Sequence, residues 1–211
     1  MSRRGILIVL SGPSGAGKGT VVKELLRSNP DLSYSVSLTT RPPRFGEING
    51  VNYWFVSKDE FMEMVENDEL LEFAQVYDNY YGTPRRFVEE ILNSGRDVIL
   101  EIDIQGAMQI KQKFSEGVFI FILPPTIPEL MNRIVQRGSD SQDSIRKRLG
   151  SVYDELKCAY NYQYVVVNDV LTDAVGKIAS IIIAEKCRTE RNCGLIETIC
   201  RTGQLEWREV N

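Results

Sequence analysis

The sequence contains no histidine, so any mechanism that depends on a histidine base is excluded. The four cysteines form no Cys-x-x-Cys pair, and without histidine their spacing does not fit a zinc site. We interpret the cysteines as free thiols, which are typical of proteins in a reducing cytoplasm.

The sequence also lacks long apolar runs and a strong net charge. The apolar run at residues 6–10 is too short for a signal-peptide core or a membrane span, and no other segment approaches membrane length. The formal net charge of −4 provides no strong field to attract nucleic acid or anionic lipid. We therefore expect a cytoplasmic protein with no nucleic-acid or membrane partner, acting as a monomer or a homodimer.

The chain has 211 residues, of which 43% are hydrophobic, and this permits one domain with its own core and inserted lobes. Buried apolar strands are predicted at residues 6–10, 97–102 and 118–123, and a fourth strand is predicted at residues 164–167. Helices are predicted at residues 20–27, 58–67, 87–94, 127–137, 143–157 and 172–186. This alternation predicts an α/β fold with a parallel sheet flanked by helices.

Two regions interrupt the alternation. Short strand-like pieces at residues 34–38 and 53–56 indicate a small insertion between residues 32 and 81. The residues after 187 are mixed and polar, and we expect them to form a short appended helix or a loosely held tail.

A glycine-rich segment lies between the first predicted strand and the first predicted helix. Its glycines let the backbone curl so that several N–H groups point inward, and the helix N-terminus adds positive charge. Lys18 can reach the β- and γ-phosphates of a bound nucleotide. The segment predicts a phosphate-binding loop of Gly12, Pro13, Ser14, Gly15, Ala16, Gly17, Lys18, Gly19 and Thr20.

Gly19 stands where a hydroxyl residue usually follows the lysine of such a loop. The usual direct hydroxyl ligand for Mg²⁺ is therefore missing at this position. Two arrangements stay open: Thr20 coordinates the ion, or the nucleotide phosphates and water hold it, which suits Mg²⁺ well.

A second anion site is predicted in the insertion. Arg41 and Arg44 lie three residues apart in a loop stiffened by two prolines, and guanidinium groups bind phosphate bidentately. Tyrosine hydroxyls nearby can donate to phosphate, and we expect one of Tyr80 and Tyr81 to pack in the core instead. A buried Glu72 carboxylate can accept hydrogen bonds from the N1–H and 2-amino groups of guanine.

Two further carboxylates, Glu101 and Asp103, alternate on a predicted strand and therefore point the same way. At the C-terminal end of that strand, beside the phosphate loop, they suit a base contact or a metal shell better than core packing. Arg133 shares a helix face with Arg137, and we interpret Arg133 as part of a solvated face.

Six motifs follow one another in a characteristic order: Gly-Pro-Ser-Gly-Ala-Gly-Lys at 12–18, Ser-Val-Ser-x-Thr-Thr-Arg-x-Pro-Arg-x-Gly-Glu at 35–47, Asp-Asn-Tyr-Tyr-Gly-Thr at 78–83, Glu-Ile-Asp-Ile-Gln-Gly at 101–106, Arg-Gly-x-Asp-Ser at 137–141 and Val-Asn-Asp at 167–169. Through them the chain resembles the guanylate kinases from about residue 6 to residue 186. The resemblance implies a P-loop NTPase fold with an inserted GMP-binding lobe and a mobile helical lid. It also implies transfer of the ATP γ-phosphoryl group to GMP, and to dGMP, with Mg²⁺ as cofactor.

The resemblance divides the chain into four parts. The P-loop core is expected at residues 1–36, 84–126 and 158–190. The GMP-binding lobe is expected at residues 37–83, the lid at residues 127–157 and a C-terminal tail at residues 191–211.

The resemblance also implies a role for each matching residue. The phosphate loop binds the phosphates of ATP, and Asn168 approaches its base. The GMP phosphate is held by Arg41, Arg44, Tyr53 and Tyr81. The guanine edge is read by Ser37, Glu72, Thr83 and Asp103. The residues expected to act in catalysis are Lys18, Arg41, Arg44 and the lid arginines Arg137 and Arg148.

Three residues depart from the family pattern. Gly19 replaces serine, Leu38 stands where many members have histidine, and Asp143 stands where glutamate is common. Of these, only Gly19 bears on the Mg²⁺ shell, and no phosphate-binding charge is lost.

Two alternative functions stay open. The Gly-Lys-Gly-Thr ending of the loop resembles adenylate kinases, although Glu72 and Asp103 are acceptors that suit guanine. Some relatives of guanylate kinase are scaffold domains that no longer phosphorylate, but such domains typically have a degraded phosphate loop, and here Lys18 and the loop glycines are intact.

Overall fold

The structure is a computed structural model that describes the backbone of residues 4–76, 78–136 and 142–210. It describes the side chains of residues 4–76, 78–135 and 150–202. Within these ranges the strands form two separate sheets, one of five strands and one of four.

The central sheet is fully parallel, as the sequence predicts. Its strands are β1 (Leu7–Ser11), β2 (Ser33–Tyr34), β7 (Val98–Glu101), β8 (Val118–Leu123) and β9 (Tyr164–Val167). They lie in the order β2-β7-β1-β8-β9, which puts β1 in the middle. Every residue of β1 is buried, because helices cover both faces of the sheet.

The second sheet is mixed and belongs to the inserted region. Its strands are β3 (Leu38–Thr39), β4 (Trp54–Phe55), β5 (Leu70–Val76) and β6 (Asn79–Pro84). They lie in the order β4-β3-β6-β5, and β5 and β6 form an antiparallel pair. This pair was not predicted from the sequence.

The helices are α1 (Lys18–Ser28), α2 (Lys58–Glu66), α3 (Arg85–Asn93), α4 (Ile104–Lys113), α5 (Ile127–Gln136), α6 (Gln142–Lys157), α7 (Leu171–Lys186) and α8 (Thr189–Val210). Helices α1 and α7 pack on one face of the central sheet, and α3 and α4 pack on the other. Helix α2 packs on the second sheet through the buried Phe61. None of the described helices combines the length and apolar composition that a bilayer crossing requires.

Three expectations about secondary structure are corrected. Residues 34–38 are not one strand: the Ser35 N–H donates to Ile99 O in the central sheet, whereas Ser37 O accepts from the Trp54 N–H in the second sheet. The strand predicted to 102 ends at Glu101, so Asp103 does not alternate on it. The segment after 187 forms the 22-residue helix α8, not a short one. The division into core, lobe, lid and tail stays a prediction.

Candidate active site

The phosphate loop connects β1 to α1 and depends on its glycines, of which Gly12 and Gly17 have the closest neighbours. Gly12 has a φ of 149°, and a Cβ there would lie 2.4 Å from Ile122 O. Gly17, the N-cap of α1, has a φ of 87°, and a Cβ there would lie 2.4 Å from Asn168 Nδ2. Both positions combine an unfavourable φ with a close neighbour, so any side chain would open the loop.

Lys18 lies across this loop from the first turn of α1. Its Nζ donates to Gly12 O at 2.7 Å and to Pro13 O at 3.1 Å. The ammonium group therefore lies against the loop backbone, next to the N-terminus of α1, and this concentration of positive charge attracts phosphate.

Asn168 follows β9 and hydrogen-bonds to the phosphate loop. Its backbone N–H donates to Leu123 O at 2.8 Å, and its Nδ2 donates to Ala16 O at 2.9 Å. Only 7% of the residue is exposed. Since the amide nitrogen is engaged by the loop, an approach of Asn168 to the ATP base stays a prediction.

Arg133 also reaches this region, and its interpretation as a solvated side chain is wrong. Its Nη1 donates to Asn168 O at 3.3 Å, and its Nε donates to Glu129 Oε1 at 2.8 Å. The side chain is 27% exposed. The Glu129–Arg133 spacing of four residues predicts the ion pair along the helix. The contact with Asn168 O joins residues 35 apart, so no local pattern predicts it.

The Arg41 guanidinium is clamped by a carboxylate and two rings. Its Nη1 and Nη2 donate to the two carboxylate oxygens of Glu47 at 2.6 and 2.7 Å. Its central carbon lies 5.0 Å from the centroid of the Tyr53 ring and 5.6 Å from that of Phe55. The hydrogen bond from Arg41 holds the pKa of Glu47 below its usual value, so the pair stays ionised. Sequence reasoning gave no role to Glu47 or Phe55.

Glu47 accepts hydrogen bonds from both Arg41 and Arg44. Its Oε2 also accepts the backbone N–H of Arg44 at 2.7 Å, which orders the loop that carries both guanidinium groups. Arg44 itself is exposed.

The tyrosines divide between the site and the core. Tyr81 lies beside Tyr53, with ring centroids 5.9 Å apart, whereas Tyr80 packs on Phe61 at 5.6 Å. The tyrosine that packs in the core is therefore Tyr80. Burial raises the pKa of Tyr53 to about 12, so its hydroxyl remains a hydrogen-bond donor at neutral pH.

Glu72 is a carboxylate inside the protein, with 2% of the residue exposed. Its Oε1 accepts from Thr83 Oγ1 at 2.6 Å. Burial raises the pKa of Glu72 to about 8; the hydrogen bond from Thr83 opposes this rise, and the charge of Asp103 adds to it. An ionised carboxylate at such a buried position is costly unless a bound partner donates hydrogen bonds to it.

Asp103 lies within electrostatic range of Glu72, but at a helix N-terminus and not on the strand that the sequence predicted. It is the N-cap of α4, and its Oδ1 accepts the N–H groups of Gln105 and Gly106 at 2.7 and 3.0 Å. The cap fixes the carboxylate at the edge of the site. Ser37, the remaining residue predicted to read guanine, is also buried, at 7% exposure.

Glu101 connects the two halves of the site. A Cβ at Gly19 would lie 3.4 Å from Glu101 Oε1, which puts this carboxylate beside the first turn of α1. Its charge also raises the pKa of Tyr53, although burial is the larger cause. Glu101 therefore lies beside the first turn of α1 and within electrostatic range of Tyr53.

The structure describes the side chain of neither predicted lid arginine. Arg137 lies outside the described residues. Arg148 lies on α6, and its side chain is outside the described set. Their approach to the phosphates stays a prediction.

The donor set near the loop fits a Mg²⁺ ion carried by nucleotide phosphates. Within the described residues no three histidine, cysteine, aspartate or glutamate side chains are grouped to bind a metal by themselves. Glu101 offers carboxylate oxygens beside Gly19, and Thr20 is exposed on the same turn of α1. Mg²⁺ takes few protein ligands and keeps water and phosphate oxygens, which suits this set.

Comparison with known proteins gives a consistent result. A sequence model of the family described as guanylate kinase matches residues 4–185. A guanylate kinase of Caldanaerobacter subterraneus subsp. tengcongensis is 57% identical over 192 residues, which cover 91% of this chain and 93% of the relative. A guanylate kinase of Clostridium tetani is 57% identical over 188 residues, covering 89% and 90%.

A solved structure agrees with these sequences. The crystal structure of guanylate kinase from Anaplasma phagocytophilum superposes with a TM-score of 0.77 at 36% identity and covers 90% of each chain. Together with the phosphate loop, the arginine clamp and the buried carboxylate, these matches show that the chain belongs to the guanylate kinase family.

Proposed function

We propose that this chain transfers the γ-phosphoryl group of ATP to GMP, and also to dGMP, and so recycles guanine nucleotides to the diphosphate level. The observation that carries the proposal is the buried Glu72 carboxylate, paired with Thr83, in a protein that also has an intact phosphate loop. Since ATP and GMP are cytoplasmic metabolites, we propose a cytoplasmic location, as a monomer or a homodimer.

ATP would bind with its phosphates in the loop of residues 12–20. Lys18 would leave the carbonyl oxygens of Gly12 and Pro13 and donate to the β- and γ-phosphates. The position of Arg133 beside Asn168 supports a further contact with the nucleotide, because a guanidinium there adds positive charge next to the loop.

The GMP phosphate would bind at the Arg41 clamp. Arg41 keeps donors that Glu47 and Pro42 do not use, Arg44 lies on the same ordered loop, and Tyr53 and Tyr81 supply hydroxyl donors. The pre-formed clamp reduces the side-chain entropy lost on binding.

The guanine base would bind against Glu72, Thr83, Ser37 and Asp103. Guanine offers N1–H and a 2-amino group, which are two adjacent donors, and an ionised carboxylate accepts both. Adenine offers a bare ring nitrogen at the same place. The buried carboxylate would then be left without its partners, which is the basis for discrimination.

Phosphoryl transfer needs positioning and charge neutralisation more than a strong base. The acceptor is an oxygen of the GMP phosphate, already ionised at neutral pH, so the lack of histidine is no obstacle. Lys18, together with Arg137 and Arg148 of the proposed lid, would offset charge on the transferring group. When bound, Mg²⁺ neutralises further charge on the ATP phosphates, and Glu101 and Thr20 would hold it, directly or through water. Closure of the lobe and lid would exclude water and suppress hydrolysis.

A coupled ADP-release assay with ATP, Mg²⁺ and a panel of GMP, dGMP, AMP, CMP and UMP tests this function. ADP should form with the guanine nucleotides alone. Turnover with AMP would overturn the substrate assignment and keep the kinase. Tight ATP binding without turnover on any acceptor would point to a scaffold domain instead.

Gly106→Ala should raise the Kd of GMP by roughly tenfold or more. A Cβ on Gly106 would lie 2.2 Å from Glu72 Oε2, so the methyl group must displace the carboxylate that reads guanine. Gly176→Ala in α7 is the matched control, because a Cβ there meets nothing within 4 Å. Titration calorimetry with GMP measures both, and unchanged GMP affinity in Gly106→Ala would show that this carboxylate is not a base contact.

A further inference from the structure

A hydrogen bond joins α6 to the phosphate loop and has no role in the proposed phosphoryl transfer. Oε2 of Glu155, on α6, accepts the backbone N–H of Ser14 at 3.2 Å, across 141 residues of sequence. Its other oxygen, Oε1, accepts from Ser151 Oγ at 2.6 Å, one turn earlier on the same helix. The carboxylate is thus aimed at the loop and held there by its own helix.

The packing around the contact holds α5 and α6 against the loop. Val152 of α6 is buried with Leu130 and Ile134 of α5. The same Leu130 and Ile134 side chains approach the loop, since a Cβ at Gly15 would lie 2.8 Å from Ile134 Cγ1 and 3.0 Å from Leu130 Cδ1. The two helices and the loop therefore form one packed unit, and Glu155 places a carboxylate at the loop.

The N–H of Ser14 belongs to the set of loop amides that cradle phosphate. A carboxylate satisfies such a donor when no phosphate is bound. A triphosphate brings several negative charges to the same amides, and a carboxylate in hydrogen-bond contact with one of them both occupies a donor and repels the ligand. The two anions cannot share this N–H group.

We propose that Glu155 is a positioning residue that occupies the phosphate loop in the nucleotide-free protein and is displaced by the phosphates of ATP. The proposal rests on the proposed function, because it takes ATP as the ligand of the loop. Displacement frees α6 from its hydrogen bond to the loop, so ATP binding and the position of α6 are linked: each state of α6 favours a different occupant of the Ser14 N–H.

Glu155→Gln tests the proposal, because glutamine keeps the shape and loses the charge. Its Kd for ATP–Mg²⁺ should fall about three- to fivefold, the usual size of one charge interaction at a partly exposed site. The Kd for inorganic tripolyphosphate, which contacts only the loop, should fall by a similar factor. The Kd for GMP should not change, and a merely structural role of Glu155 would not produce this split between ligands.

Asp154→Asn is the matched control. It removes the same charge from the neighbouring position on α6, where Asp154 pairs with Lys157 at 3.0 Å and is 82% exposed. The Kd for ATP should stay unchanged. Glu155→Ala, with alanine's high helix propensity, provides a second variant that should shift the Kd in the same direction.

The outcomes separate this proposal from the function on which it rests. Wild-type protein that neither binds ATP nor phosphorylates GMP would overturn the proposed function. Wild-type protein that does both, with an equal or higher Kd for ATP and for tripolyphosphate in Glu155→Gln and Glu155→Ala, would overturn only the role given to Glu155.

Discussion

Lys18→Ala should lower kcat for ATP and GMP by roughly 10²- to 10³-fold, the usual cost of removing one preorganised donor from developing charge. The ammonium group is the one side-chain cation that the described part of the phosphate loop itself carries, and it lies over Gly12 O and Pro13 O. Water can solvate these carbonyl oxygens when the ammonium group is gone. Folding should therefore survive, and the loss should appear in turnover.

Lys23→Ala on the same helix is the control for this variant. Lys23 is exposed on α1, so its removal changes the net charge equally without touching the loop. Steady-state assays with saturating ATP and GMP, together with thermal melts, measure both variants. Near-wild-type kcat in Lys18→Ala would contradict the phosphoryl-transfer mechanism, since no other loop side chain described in the structure could replace the cation.

Burial on both faces of the central sheet made some strands predictable from runs of apolar residues. Val118–Leu123 is apolar throughout because helices cover it from both sides, so its bounds were correct. Helix α7 was predicted to within one residue for a related reason: Ala174, Ile178 and Ile182 recur at helical spacing and pack on the sheet.

The elements that were missed include the strand that carries Glu72 and the helix that Asp103 caps, two residues proposed to contact the base. Strand β5 has a buried Glu72 between apolar neighbours and a register shift between Leu70 and Glu72. Its residues therefore do not alternate between apolar and polar as those of a half-buried strand do. Helix α4 contains Gly106, which has low helix propensity, and this glycine is needed because Glu72 lies against it. In both elements the departure from local preference lies at the buried Glu72 carboxyl group, as is expected where a site is built at the cost of regular pattern.

The contacts that organise the site were beyond sequence patterns for a different reason. The hydrogen bond of Asn168 to Ala16 O joins residues 152 apart, and that of Glu155 to the Ser14 N–H joins residues 141 apart. Periodicity and spacing report on neighbours within a few turns. The Glu129–Arg133 pair, only four residues apart, is a local contact that the interpretation of Arg133 as a solvated side chain did not consider.

Glu72→Gln should raise the KM of GMP by roughly 10- to 100-fold, because it replaces one acceptor oxygen with an amide that faces the donors of guanine. The amide N–H groups and the guanine 2-amino group would repel each other in a site where Glu72 is 2% exposed. Activity with AMP, if any is measurable, should not fall by the same factor. An equal effect on both nucleotides would favour a kinase without guanine selectivity. Glu66→Gln, at the exposed end of α2, is the control.

The pH dependence of GMP binding gives a second test of the same carboxylate. Burial raises the pKa of Glu72 to about 8, so at neutral pH the free protein holds a proton there. Accepting two guanine donors requires the ionised form, and GMP binding should therefore release a proton. Below about pH 8, the Kd of GMP should rise as the pH falls. Measurements between about pH 7 and pH 8.5 avoid the second ionisation of the phosphate near pH 6.

The raised pKa of Glu72 should also make the free energy of unfolding depend on pH. The folded protein holds the Glu72 proton more tightly than the unfolded chain, whose carboxyl group has a pKa of 4.5. From about pH 4.5 to pH 8 the unfolded chain therefore binds fewer protons, and this group lowers the free energy of unfolding as the pH rises. Glutamine does not ionise, so Glu72→Gln should gain stability relative to wild type across that range in urea titrations. A constant difference in stability would show that the native carboxylate titrates normally, and the guanine contact would then need no proton release.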